Sequence, residues 1–147
     1  MAREIKTEIL IHASSLSIWR ILTNFREYPN WNPFIKSIEG EVAVGNTFTA
    51  RIQPPGSKGM TFKPRVLTFE TEKRFSWKGH LLINGLFDGE HIFELDDQGN
   101  GTTLFIQREV FTGILVPIFD RMMRENTIKG FEAMNEKIKD LAEASQH

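Results

Sequence analysis

The sequence contains no cysteine. Disulfides, thiolate zinc sites and cysteine nucleophiles are therefore excluded. It has one tyrosine beside twelve phenylalanines and three tryptophans, so aromatic surface is plentiful and almost none of it carries a hydroxyl. Neither charge is in surplus: 18 basic side chains face 19 acidic ones, for a net charge of -1. That balance removes the main argument for binding nucleic acid or an anionic membrane, since both need a basic surplus. Long hydrophobic runs are also missing. The longest, Ile114 to Phe119, is far short of the roughly 20 residues that span a bilayer, so no integral membrane segment is expected. Met1 to Lys6 alternates in charge and lacks an apolar h-region. No signal peptide is readable there, and a cytoplasmic location is the expectation.

Catalytic templates are equally scarce. His12, His80, His91 and His147 show no metal-ligand spacing such as H-E-x-x-H. There is no glycine-rich phosphate loop and no G-x-S-x-G elbow. Asp96-Asp97-Gln98-Gly99-Asn100 carries oxygen ligands, but it lacks the full spacing of a calcium loop and reads as a turn. No metal and no cofactor is expected.

What is present describes one globular domain over residues 1–147. The chain is 40% hydrophobic and 25% charged, long enough for a core and for a cavity within it. Residues 3–11 alternate, with Ile5, Thr7, Ile9 and Ile11 on one face, as in a half-buried strand. Ser14 or Ser15 offers an N-cap, and Leu16, Trp19, Ile21 and Leu22 follow at helical spacing. A second short turn, Phe25 to Tyr28, ends against Pro29; Pro29 and Pro33 bracket Trp31 in a rigid loop.

Six further strands are predicted at 35–43, 46–53, 61–70, 73–82, 87–96 and 102–112, separated by turn chemistry at 44–46, 54–56, 84–85 and 97–101. From Pro117 the period changes to that of a helix over about 117–143, on which Met123, Thr127, Phe131, Met134, Ile138 and Leu141 recur. Asp120 suits its positive end. The class is α+β: a seven-stranded antiparallel sheet, two short helices after the first strand, and one long C-terminal helix. One helix covers only a stripe of such a sheet. The uncovered remainder must curl on itself or leave a pocket between sheet and helix.

The strand faces locate the candidate site. A hairpin turn centred near Gly99 puts His91 opposite Gln107 and Phe93 opposite Phe105, all on one face with Glu109 and Phe111. A one-residue slip would turn Ile106 and Arg108 inward instead. For the preceding hairpin, a three-residue loop, Ile83-Asn84-Gly85, puts Trp77 and His91 on the same face, whereas a two-residue Asn84-Gly85 turn separates them. The face with Phe75, Trp77, Gly79 and Leu81 is the more apolar, which favours the longer loop.

Two stretches carry a resemblance. The first is Ala13-Ser14-Ser15-Leu16-Ser17-Ile18-Trp19-Arg20-Ile21-Leu22-Thr23-Asn24-Phe25 with Tyr28-Pro29-Asn30-Trp31-Asn32-Pro33-Phe34. The second is Phe87-Asp88-Gly89-Glu90-His91-Ile92-Phe93-Glu94-Leu95 with Gln107-Arg108-Glu109-Val110-Phe111. Together they resemble the START/Bet v 1-like (SRPBCC) superfamily, within it the polyketide cyclase/dehydrase-like group. The resemblance implies a helix-grip fold, a curved seven-stranded sheet around the long C-terminal helix, with hydrophobic ligands such as lipids or aromatic polyketides held between them. Some members are aromatase/cyclases; others are carriers or cochaperone-like modules.

On the residues themselves, His91 and Glu109 are the candidates for acid–base chemistry, and the plainer reading joins them with Gln107 in a buried polar network. Trp31 and Trp77 are candidates to stack on a ring-shaped ligand. Phe75, Phe93, Phe105, Phe111, Met123 and Thr127 complete the expected lining. The leading expectation is binding of a small hydrophobic molecule, lipid-like or aromatic. An aromatase/cyclase-type enzyme and a protein-interaction module of the same fold are the alternatives. The sequence names no protein partner.

Overall fold

The computed structural model describes residues 2–80 and 85–145. Alternation along β1 (Ala2–Ile11) buries Ile5 and Ile11. Ser14 then caps α1 (Ser15–Thr23) by accepting the Ser17 N–H at 3.2 Å, and Ile18, Trp19 and Leu22 form its buried face. A single 3-10 turn (Phe25–Glu27) leads into α2 (Tyr28–Trp31), whose first turn holds Pro29. The strands are β2 (Ile35–Glu39), β3 (Thr49–Ile52), β4 (Met60–Phe62), β5 (Arg65–Glu70), β6 (Arg74–His80), β7 (Asp88–Asp97) and β8 (Thr103–Thr112). Helix α3 (Val116–Ala144) closes the chain. Among the described residues, no helix is long and apolar enough to cross a membrane.

All pairings are antiparallel, but the eight strands form two sheets rather than the expected seven in one. The larger runs β1-β8-β7-β6-β5 and the smaller β2-β3-β4. The extra strand comes from Pro64, which splits the predicted strand 61–70 because proline has no N–H for the ladder. The Pro64 carbonyl still accepts the Phe48 N–H at 3.1 Å, and Thr47 bridges Arg65, so the two sheets stay joined at this corner.

Trp77 lies opposite His91, the pairing that a three-residue loop requires. Residues 81–84, which include Leu81 of the predicted apolar face and Ile83 and Asn84 of the predicted loop, lie outside the described residues. In the last hairpin His91 faces Glu109 and Phe93 faces Gln107, two positions from the expected partners. The turn centres on Asn100, not Gly99: Gln98 N–H reaches the Thr102 carbonyl at 3.0 Å, with Gly99 and Gly101 both at positive φ. A two-residue shift keeps every side chain on its face, so the predicted inward set survives the wrong register.

The inner face of the larger sheet therefore reads in rows. Phe75, Phe93, Gln107 and Thr7 form one row, and Trp77, His91, Glu109 and Ile5 the next. The following row is Gly79, Gly89 and Phe111. Helix α3 packs on β1 and β8 across these rows. From Gly130 onward its inner side is buried through Phe131, Met134, Asn135, Ile138 and Ala142. Ala142, not the predicted Leu141, completes that stripe; Leu141 is exposed. Gly130 sits on the Phe34 ring. The first half of α3 crosses the glycine row, where the sheet sends up little to meet it.

Candidate functional site

That mismatch is the cavity. Two glycines face each other on β6 and β7, so the sheet has no side chain where Gly79 and Gly89 pair. The space between them and α3 measures about 120 Å³. Its walls are largely aromatic: Phe34, Phe62, Trp77, Phe87, Phe111 and Phe119. Phe87 stacks on Phe111 at 5.3 Å and meets Phe119 at 4.4 Å, which ties the start of α3 to β8. This volume resembles the roughly 150 Å³ apolar cavity that accepts benzene, and is below the range of about 300–1,000 Å³ typical of drug-sized sites.

One carboxylate reaches the inner wall. Glu109 lies beside Gly89 so closely that a Cβ there would overlap its Oε2, and its Oε1 is 3.5 Å from His91 Nδ1. Behind it runs a chain of polar groups in which His91, Gln107 and Asn135 are buried and Thr7 is half-buried. Asn135 Nδ2 donates to Thr7 Oγ1 at 2.9 Å, and the Thr7 hydroxyl donates to the Gln107 carbonyl at 2.9 Å. Asn135 Oδ1 is thus the acceptor for Gln107 Nε2 at 2.7 Å, which leaves Gln107 Oε1 to accept. His91 Nε2, 2.9 Å away, must carry the hydrogen; the tautomer is assigned from this network. The imidazole is clamped flat against Trp77, with ring centres 4.9 Å apart, and meets Phe131 at 5.0 Å.

The expected site residues are thus divided. Trp77, Glu109, Phe111, Met123 and Thr127 line the cavity. His91 and Gln107 stand behind the wall, buried. Phe75, Phe93 and Phe105 are on the predicted face but fill the core one or two rows away. Trp31 is elsewhere, packed edge-on against Tyr28 beside an open groove shared with Arg20, Ile21 and Leu141. Phe34, Phe62, Phe87 and Phe119 were not among the expected lining. Their signal is weak because they come from loops, a short strand and a helix start, where no alternation marks an inward face. The glycine row was readable: Gly79 and Gly89 both fall on the inward alternation.

The run Ile114 to Phe119 divides between two faces. Ile114 and Ile118 are 77% and 56% exposed, whereas Val116 is buried and Phe119 faces the cavity. Asp120, expected at the positive end of the helix, lies just past the first turn of α3, since that turn begins at Val116 and holds no acidic residue. It pairs with Arg124 at 2.9 Å and with Arg3 at 3.9 Å, at the cavity rim. Arg124 also donates to the Glu4 carbonyl at 3.2 Å, so these rim contacts hold α3 to β1. Among the described residues, no group of histidine, aspartate and glutamate is arranged to hold a metal ion.

Comparisons with known proteins agree with this geometry. The family model described as polyketide cyclase / dehydrase and lipid transport matches residues 2–143. No curated protein matches the sequence. Among solved structures, the Zhui aromatase/cyclase from Streptomyces superposes with a TM-score of 0.80 at 12% identity, over 100% of this chain and 97% of that one. Norcoclaurine synthase from Thalictrum flavum superposes with a TM-score of 0.76 at 15% identity, over 100% and 98%. Ara h 8.0201 does so with a TM-score of 0.64 at 12% identity, over 94% and 98%. At these identities the likeness is one of fold.

Proposed function

The chain belongs to the polyketide cyclase / dehydrase and lipid transport family, and on that premise we propose that it binds a small, mostly apolar molecule between the sheet and the first half of α3. The observation that carries this reading is the Gly79–Gly89 pair, which leaves an aromatic-walled space between sheet and helix. Burial of an apolar ligand there would be favoured by roughly 25 cal/mol for each Å² removed from water. Gly79 supplies the test. A Cβ built on it meets only Pro64, at 3.6 Å from its Cβ and 3.9 Å from its Cα, ordinary contacts. Gly79→Val should therefore keep the fold, since valine suits a strand, while filling the cavity. Titration with single-ring apolar probes, read through Trp77 fluorescence, should show binding to the natural protein and at least about tenfold weaker binding to the variant. Undiminished binding by a folded Gly79→Val protein would place the ligand elsewhere.

A second reading, an enzyme of the aromatase/cyclase type, is favoured by one observation. The His91–Glu109 contact brings an imidazole and a carboxylate together at the cavity wall. In that reading Glu109 takes or returns a proton during condensation and dehydration of a polyketide-like substrate, and His91 holds the pair in register. Glu109→Gln separates the two: a carrier loses modest affinity, an enzyme most of its turnover.

A further inference from the structure

The cavity contains an acceptor without a donor. Glu109 is 17% exposed and aims a carboxylate into an apolar space. Among the described residues it accepts no hydrogen bond; its nearest polar neighbour is His91 Nδ1 at 3.5 Å. A mostly buried carboxylate without donors is costly, and a ligand that supplies one recovers that cost. The Oε2 atom beside Gly89 is the one open to the cavity, since Oε1 faces His91.

Three further observations narrow the ligand. The space of about 120 Å³ is ring-sized. The walls around Glu109 are largely apolar, so desolvation on entering would cost a cationic amine heavily. At the rim, the Arg124 guanidinium is already engaged by the Asp120 carboxylate and the Glu4 carbonyl, which weakens its hold on an anionic ligand. Resting on the reading of this cavity as a hydrophobic ligand site, we infer that it selects a neutral phenol. The ring would lie over the Gly79–Gly89 pair and the hydroxyl would donate to Glu109 Oε2. The Thr127 hydroxyl, which also lines the space and has no hydrogen-bond partner among the described residues, is placed to meet a second polar substituent on the α3 side.

The test compares four probes with the same ring and ethyl group on the full chain by calorimetry: para-ethylphenol, para-ethylanisole, para-ethylbenzylamine and para-ethylbenzoate. The phenol should bind most tightly, by about tenfold over the anisole, the worth of one hydrogen bond to a charged or buried acceptor. In Glu109→Met the preference for the phenol over the anisole should vanish. Equal binding of phenol and anisole to the natural protein overturns the inference while leaving the cavity reading intact. Tightest binding of the amine or the benzoate overturns it as well, because charge would then select the ligand. Absence of binding by all four removes the cavity reading itself. The comparison on the natural protein decides the matter even if Glu109→Met does not fold.

Discussion

The Phe34 ring rests directly on Gly130, at the middle of α3, so closely that a Cβ at that position would overlap it. The glycine lets a loop residue between α2 and β2 reach into the helix surface and form part of the cavity wall. Isolated helix propensity argues the other way, since alanine is favoured over glycine by about 1 kcal/mol. Overlap with a buried ring typically costs about 1–3 kcal/mol. Gly130→Ala should therefore destabilise the protein by about 1 kcal/mol net, measured by urea unfolding, and should weaken probe binding by moving Phe34. A stabilised variant would mean that the ring yields easily.

The buried polar chain makes a second prediction. Gln107→Met keeps the volume but strands His91 Nε2 and Asn135 Oδ1, both bonded to Gln107. The expected loss is about 2–4 kcal/mol, well above that of an ordinary core exchange of equal size. Asn135→Leu should be non-additive with it, because the two side chains share one bond. Strict additivity in a double-mutant cycle would contradict the chain.

Tyr28, the only tyrosine, is fully buried and donates to the Leu22 carbonyl at the end of α1. Burial pushes its phenol well above the usual value of about 10. The neutral form is the one the fold holds, so its contribution is complete below about pH 10 and is lost as the pH rises further. In a base titration, tyrosinate absorbance should appear only together with loss of the native circular dichroism signal. A tyrosinate signal in the folded protein would contradict this burial. Tyr28→Phe should cost about 1 kcal/mol by leaving the carbonyl unpaired.

Glu143 controls the opposite limb. Its carboxylate accepts from Lys139 Nζ at 2.6 Å and from the His12 N–H at 2.9 Å, which clasps the end of α3 to the end of β1. These bonds, Lys139 first, lower its pKa from 4.5 to about 2. The folded form thus releases this proton more readily than the unfolded chain. Its stabilisation is present above pH 4.5 and is lost as the pH falls toward 2. The group is partly exposed, so the effect is modest and salt-sensitive. Urea midpoints of Glu143→Gln should vary less steeply with pH across that window at low salt. An unchanged slope would show the clasp to be energetically idle.

Much of the fold was legible because its signals are local. Period-two alternation marks β1 and β8, Ser14 and Pro117 mark helix starts, and a two-residue register error at Asn100 does not change which face points inward. The split at Pro64 was missed because one missing N–H inside a ten-residue alternating stretch leaves the hydrophobic pattern intact. The site was only half legible. Glu109, Trp77 and Phe111 declare themselves by strand parity, whereas Phe34, Phe62 and Phe119 arrive from segments without alternation.

By itself the sequence determined the inward set: an aromatic face interrupted by His91, Gln107 and Glu109, with two glycines in phase. It did not determine what that face encloses. Only the tertiary structure decided that the twelve phenylalanines are shared between a filled core and a small cavity. The reason is where α3 crosses the sheet. Its second half meets His91 and Gln107 through Phe131 and Asn135 and closes on them; its first half meets Gly79 and Gly89 and cannot. Parity is a property of one strand, but a void is a sum over every element around it, and that sum exists only once the chain is packed.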